Sequence, residues 1–198
     1  APRLRRMSTC EDANNPRRGV STTTYVWRRL DLDGRVFVRL DVGSDGVSAA
    51  GYEICAEGDQ RWAVRFSVEL DAEWRHERTT VEVMDEAGAR RLDLESDGAG
   101  SWLRGGRPDP SLEGCTDVDL AGNPFTNAFV TRRVAPEVGV DVEVRAAYIE
   151  TPALSVRPLV QRYQRLAADR WVYVDAEYGR FELSTDADGV AVDYEQLA

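Results

Sequence analysis

A chain of 198 residues with 42% hydrophobic content is long enough to bury a sizeable core and to fold alone. Acidic residues outnumber basic ones 35 to 25, a formal net charge of -10, so release of phosphate counterions gives no driving force and nucleic acid is excluded as an expected partner. Every basic side chain except the lone histidine is arginine, a bias that either codon usage or a salt-rich cytoplasm produces.

The first stretch, APRLRRMSTCEDANNPRRGVSTTT, is basic and polar and has no apolar run, so it reads as neither a signal peptide nor a membrane anchor. Residues 1–22 are expected to form a mobile tail, with Met7 as an alternative start, and residues 23–198 a single β domain. Cys10, Cys55 and Cys115 are too irregularly spaced for a disulfide framework or a metal array. They point to reduced thiols, a cytoplasmic location and no transmembrane segment.

Beyond the tail, period two dominates the chain. Val36, Val38, Leu40 and Val42 share one face of a predicted strand, and Trp62, Val64, Phe66, Val68 and Leu70 share one face of another. Val140, Val142, Val144 and Ala146 repeat the pattern later. Such alternation signals half-buried antiparallel sheet, and turn pairs at Asp33-Gly34, Asp45-Gly46, Gly58-Asp59, Asp97-Gly98 and Asp188-Gly189 suit hairpins rather than crossover helices. Helical signals are short: Asn123 as cap with Pro124 at the first helical position, and a weaker one after Pro110. Similar hairpin chemistry following Tyr25 and Trp171 is read as convergence within one domain.

His76 lies in the charged run EWRHERT and is expected to be solvated or salt-bridged rather than a catalytic base. None of Ser48, Ser67, Ser101 or Ser111 sits in a nucleophile elbow, which argues against a serine hydrolase. DGAGSWLRGGRP lacks the Gly-Lys-Ser/Thr of a phosphate loop and reads as hairpin turns around Trp102, the tryptophan expected to be exposed.

The densest polar cluster is GCTDVDLAGNPFTNAFVTRR. Asp117 and Asp119 are two apart, so on a strand both carboxylates leave one face with α-carbons about 6.6 Å apart. That spacing suits a hard cation or the flanks of a glycosidic bond, but a cation would need further ligands from Thr116, Asn123 or Asn127. A structural alternative has FVTRRV return as a strand, with Arg132 or Arg133 pairing to the aspartates. Cys115, beside those charges, reads as a buried structural thiol. Gln161 and Tyr163 share a strand face and suit either a polar head group or cross-strand pairing.

The segment GCTDVDLAGNPFTNAFVTRRV resembles the hallmark of the family called putative glycolipid-binding proteins, in which Asp-Val-Asp-Leu precedes Pro-Phe-Thr-Asn and an Arg-Arg pair. VRFSVELDAEWRHERTTVEV, YIETPALSVRPLVQRYQRL and FELSTDADGVAVDYEQL resemble its other segments in the same order. The chain departs from the pattern at Phe129-Val130-Thr131, where Leu-Pro-Ile is expected. The resemblance implies an incomplete antiparallel β-barrel around an apolar cavity, as in lipoprotein and lipid carriers, with small helices at its mouth.

Together these readings predict a mainly β fold: a single, strongly curved antiparallel sheet forming an open half barrel with one or two short helices. The expected function is non-catalytic binding of a small amphipathic ligand, such as a glycolipid, with no cofactor and no metal. Asp117, Asp119 and Asn127 would meet ligand hydroxyls, Arg132 a phosphate or carboxylate, with Gln161, Tyr163 and Trp102 assisting. One alternative is a sugar- or ester-acting hydrolase using Asp117 and Asp119, which requires one raised carboxyl pKa. Another is a protein-interaction scaffold without a pocket.

Overall fold

Alternating sequence becomes alternating burial in the computed structural model, which describes residues 19–29 and 31–197. Strands β1 (Ser21–Arg28), β2 (Asp33–Gly43), β3 (Gly46–Glu57), β4 (Gln60–Leu70), β5 (His76–Asp85) and β6 (Gly88–Ser96) pair each with the next. Short β7 (Trp102–Arg104) and β8 (Arg107–Pro108) complete this antiparallel meander. Val36, Val38 and Leu40, and all five inward residues from Trp62 to Leu70, are buried as their period requires. Ser21 and Thr22, expected in the tail, already belong to β1; the tail reading for residues 1–18, with Met7 and Cys10, lies outside the described residues. Asp33-Gly34 opens β2 rather than forming a turn.

The expected single sheet is two sheets. Pro108 lacks an N–H to extend the ladder, and Asp109 caps a 3-10 turn, Pro110–Leu112, by accepting from the Ser111 N–H. The chain therefore leaves the first sheet, and β9 (Asp117–Leu120) pairs parallel to β10 (Asp141–Glu150). With β11 (Ser155–Arg165), β12 (Arg170–Asp175), β13 (Gly179–Thr185) and β14 (Ala191–Leu197) it forms a second sheet curled into a half barrel. A seam of side chains joins first strand to last: the Trp27 indole N–H donates to Ala191 O at 2.8 Å and the Tyr25 hydroxyl to Asp186 at 2.9 Å.

Between β9 and β10 the Asn123 side chain accepts from the Phe125 N–H at 3.1 Å, starting a 3-10 turn (Pro124–Thr126) that runs into α1 (Asn127–Arg133). The predicted cap is thus present, but FVTRRV does not return as a strand. Without a proline at position 130 the helix continues through Phe129, Val130 and Thr131, all buried. Phe125, Ala128 and Phe129 pack into the core beneath the first sheet, whereas Val130 packs with Val144, Tyr163, Trp171 and Leu183 of the second. This short helix wedges the two sheets apart. No described helix is long and apolar enough to cross a membrane.

Two aromatic expectations are overturned. His76 is buried, its Nε2 2.9 Å from Thr79 Oγ1 and its ring 5.1 Å from that of Trp102, and burial lowers its pKa to about 3, so it is neutral. An irregularity where Leu70 pairs His76 and Glu69 pairs Arg78 shifts the strand's phase, which turns His76 inward despite its charged neighbours. Trp102 is buried too, donating its indole N–H to Cys115 O at 2.8 Å.

Gly51 faces inward on β3 directly opposite Phe66. A Cβ there would lie 2.2 Å from Phe66 Cζ and 2.6 Å from the backbone oxygen of Phe37, so the aromatic ring fills the place of a side chain. Gly51→Ala is expected to destabilise the protein by about 1–3 kcal/mol, measured by urea unfolding. An unchanged midpoint would mean that the ring is free to shift.

Candidate functional site

A cavity of about 680 Å³ opens between the two sheets. Trp27, Val36 and Trp62 line it from the first sheet, Tyr148, Tyr173 and Phe181 from the second, and the turn from Ala121 to Pro124 closes one side. This volume matches small-molecule sites, which span roughly 300–1,000 Å³.

The second sheet's inner face supplies the polar groups. Asp119 on β9 is half-buried, with the Thr126 hydroxyl donating to Oδ1 at 2.6 Å and the Gln161 amide to Oδ2 at 2.5 Å. Gln161 also donates to the Tyr173 hydroxyl at 3.2 Å, while the Tyr163 hydroxyl donates to Asn127 Oδ1 at 2.9 Å and reaches Gln161 Oε1 at 3.3 Å. Burial pushes the Asp119 carboxyl up to about 6; these two hydrogen bonds oppose the rise, and nearby Asp175 and Asp117 add to it. Burial likewise raises Tyr173 and Tyr163, and the Asp119 charge adds to both, so they remain protonated donors.

Asp175, opposite Gln161 on β12, is only 6% exposed. Its Oδ1 accepts the Glu177 and Tyr178 N–H groups at 2.7 and 2.6 Å, forming the hairpin turn. Its Oδ2 is buried without a hydrogen bond of ordinary geometry among the described residues, although the Asp175 and Tyr173 side chains interact. Trp62 Nε1 on the opposite wall and Thr151 Oγ1 are also buried without a partner among the described residues, and all three residues line the cavity.

The remaining wall is an ionic strut. Arg29, after β1, donates to Asp31 Oδ1 at 3.0 Å, to Ala121 O at 3.0 Å and to Glu53 Oε2 at 3.3 Å, and Asn123 donates to Glu53 Oε1 at 2.8 Å. Gly122 lies under the guanidinium, where a Cβ would sit 2.0 Å from Arg29 Nη2. Glu53 is fully buried, and its loss of hydration outweighs the attraction of Arg29 and the Asn123 hydrogen bond, raising its pKa to about 7.

Of the residues singled out in the sequence, Asp119 and Asn127 line the cavity, and Gln161 and Tyr163 hold them in place. The other three lie elsewhere. Asp117 is almost fully buried and paired through both oxygens with Arg133, with the Thr116 hydroxyl donating at 2.7 Å. Arg132 bonds Ala187 O at 3.3 Å and lies 5.3 Å over the Trp74 ring. Trp102 is in the core. One arginine of the pair thus reaches Asp117 and the other does not, although helical rather than strand geometry separates them.

Arg29, Glu53, Trp62, Tyr173 and Asp175 escaped the sequence reading. Glu53 carried a usable signal, since it falls in phase with Ala49 and Cys55 on the buried face of β3. A charge on an apolar face implies a buried partner.

The family described as "Putative glycolipid-binding" matches residues 24–198. The chain belongs to this family. A crystal structure of a DUF1089 family protein from Pseudomonas aeruginosa is similar over 98% of each chain, with 28% identity and a TM-score of 0.74. A beta-barrel-like protein of domain of unknown function DUF1849 from Brucella abortus aligns over 88% of each chain, with 10% identity and a TM-score of 0.48. No curated protein matches the chain.

The strut gives this family member a pH signature. Glu53 and Asp119 have pKa values raised above their ordinary ones, so folding binds protons and stability falls as pH rises from about 4 through about 7. Arg29→Met leaves Glu53 buried without its ion partner and is expected to cost about 3 kcal/mol at pH 8. The loss should be smaller at pH 5, where Glu53 takes up a proton. Urea unfolding at both pH values checks this, and an equal loss at each would separate Glu53 from the effect of Arg29.

Proposed function

We propose that the protein is a non-catalytic carrier that holds a small amphipathic ligand, of the glycolipid kind, in the cavity between its sheets. One observation carries this reading: a cavity of about 680 Å³ has aromatic walls and is lined by residues whose buried polar atoms, Trp62 Nε1 and Thr151 Oγ1, have no hydrogen-bond partner among the described residues. A ligand with hydroxyl-bearing and apolar parts satisfies both features. Membership of a family described as glycolipid-binding agrees with this.

In this reading Asp119 and Asn127 contact the polar head, and Gln161 and Tyr163 set their orientation. Asp117 acts through Arg133 as a support for β9 and α1, and Arg132 fastens α1 to the 186–189 turn. The hydrolase alternative gains nothing from this geometry, because the Arg133 guanidinium occupies the Asp117 carboxylate and Asp117 does not line the cavity. A scaffold without a pocket is disfavoured by the cavity itself.

Native mass spectrometry of protein incubated with a lipid extract, without detergent, tests the proposal. A discrete adduct is expected, reduced roughly tenfold in affinity by Asp119→Asn, which exchanges a charge-assisted acceptor for a neutral one. Asp117→Asn should instead lower stability by about 2 kcal/mol and leave the adduct in place. A clean apo mass after every incubation would sink the carrier reading.

A further inference from the structure

The cavity is electrically one-sided. Asp119 and Asp175 both face it, and neither forms an ion pair among the described residues. The guanidinium groups in its wall do not compensate: Arg29 is committed to Asp31 and Glu53, and Arg28 lies at the exposed rim. Glu57 adds a further carboxylate to the lining, whereas Asp31 and Glu150 are paired with Arg29 and Arg157. A phosphate or carboxylate head would meet repulsion beside Asp119 and Asp175, since Arg28, the lining cation without an ion pair among the described residues, is exposed.

Beside the two aspartates runs a continuous aromatic wall. Ring centroids are 5.2 Å apart for Tyr163 and Tyr173, 5.9 Å for Tyr173 and Phe181, and 4.9 Å for Phe181 and Tyr194. Of these, Tyr173, Phe181 and Tyr194 line the cavity. Aromatic faces next to unpaired carboxylates are the surroundings in which an ammonium group is held, by ring quadrupoles and by charge-assisted hydrogen bonds together. A neutral hydroxyl would leave both charges uncompensated.

We propose that the cavity selects amphiphiles whose head carries a protonated amine, with the ammonium held beside the Asp119 and Asp175 carboxylates and against the aromatic wall. Trp62 Nε1, unpaired on the facing wall, meets an acceptor oxygen of the same head. The ligand class is then an aminated lipid or amino-sugar amphiphile rather than a phosphorylated or acidic one. This inference rests on the carrier function proposed above and narrows it. The raised pKa of Asp119 agrees with a carboxylate that has no cation beside it until ligand arrives.

The test compares dodecylamine, dodecyl glucoside and dodecyl phosphate, which share one alkyl chain, below their micellar concentrations at about pH 7.5 and roughly 150 mM salt, where exposed charges are largely screened. Binding to the full chain is followed by calorimetry and by fluorescence of Trp27 and Trp62. Dodecylamine is expected to bind at least tenfold more tightly than the glucoside, and the phosphate most weakly. Asp175→Asn keeps the turn-forming oxygen and should bring amine and glucoside to within about threefold, as should Asp119→Asn if the first variant fails to fold. Glu69→Gln removes a charge on the exposed face of β4 and should leave the preference intact, separating the site from overall charge.

A glucoside that binds as tightly as the amine, or an amine preference that survives both aspartate variants, overturns the inference and leaves the carrier function standing. Failure of all three amphiphiles to bind overturns both.

Discussion

The site depends on a carboxylate that the fold has taken fully out of water. Glu53 sits on the inner face of the first sheet, yet its hydrogen-bond partners are Arg29, at the exit of β1, and Asn123, in the turn between β9 and α1. Removing the charge from solvent carries a large desolvation cost that these partners offset, with the Cys55 thiol as a weak third donor, so the turn must lie where they can reach. That requirement fixes the Ala121–Pro124 wall of the cavity and excludes a side chain at Gly122. Asn123 serves twice, since its oxygen also caps the 3-10 turn that launches α1. One buried charge thereby couples the first sheet, the cavity wall and the start of the helix.

Two aspartates that look equivalent in sequence have opposite circumstances. Asp117 is neutralised by a guanidinium from α1, whereas Asp119, two residues on, accepts from the neutral side chains of Thr126 and Gln161. The difference follows from the helix: Arg133 lies near its C-terminal end and reaches back to the start of β9, while Thr126, before its first turn, reaches Asp119. A strand places both carboxylates on one face, and the helix beside it decides which is structural and which stays available.

The sheets were legible because period two survives in nearly every strand; inward residues such as Val38 and Phe66 could be named from spacing alone. The cap at Asn123 was legible for a similar reason, as a local hydrogen bond needs only local sequence. What escaped was long-range. The division into two sheets arises where prolines interrupt the ladder and β9 finds a partner lying later in the chain, which no local pattern encodes. His76 was hidden by a strand irregularity, and Trp102 by a core that Cys115 and Leu112 complete from another segment. Within the cavity, Asp119 and Asn127 stood out as part of a dense motif. Asp175 did not, because its neighbours read as an ordinary hairpin and its place in the cavity wall is a property of the assembled site.

The wedge helix has a further consequence. Phe129 and Val130 are adjacent in the chain yet belong to different cores. Each residue advances an α-helix by about 100°, so these two positions divide the contact with the sheets by rotational phase alone. Inserting one residue before Phe129 would turn the apolar side chains out of both cores at once and swing Arg133 away from Asp117. The loop after the helix, by contrast, holds exposed Val138 and Val140 and absorbs changes in length without altering that phase. Relatives of this protein are therefore free to vary in the connection to β10, but from Asn123 to Arg133 they must keep count.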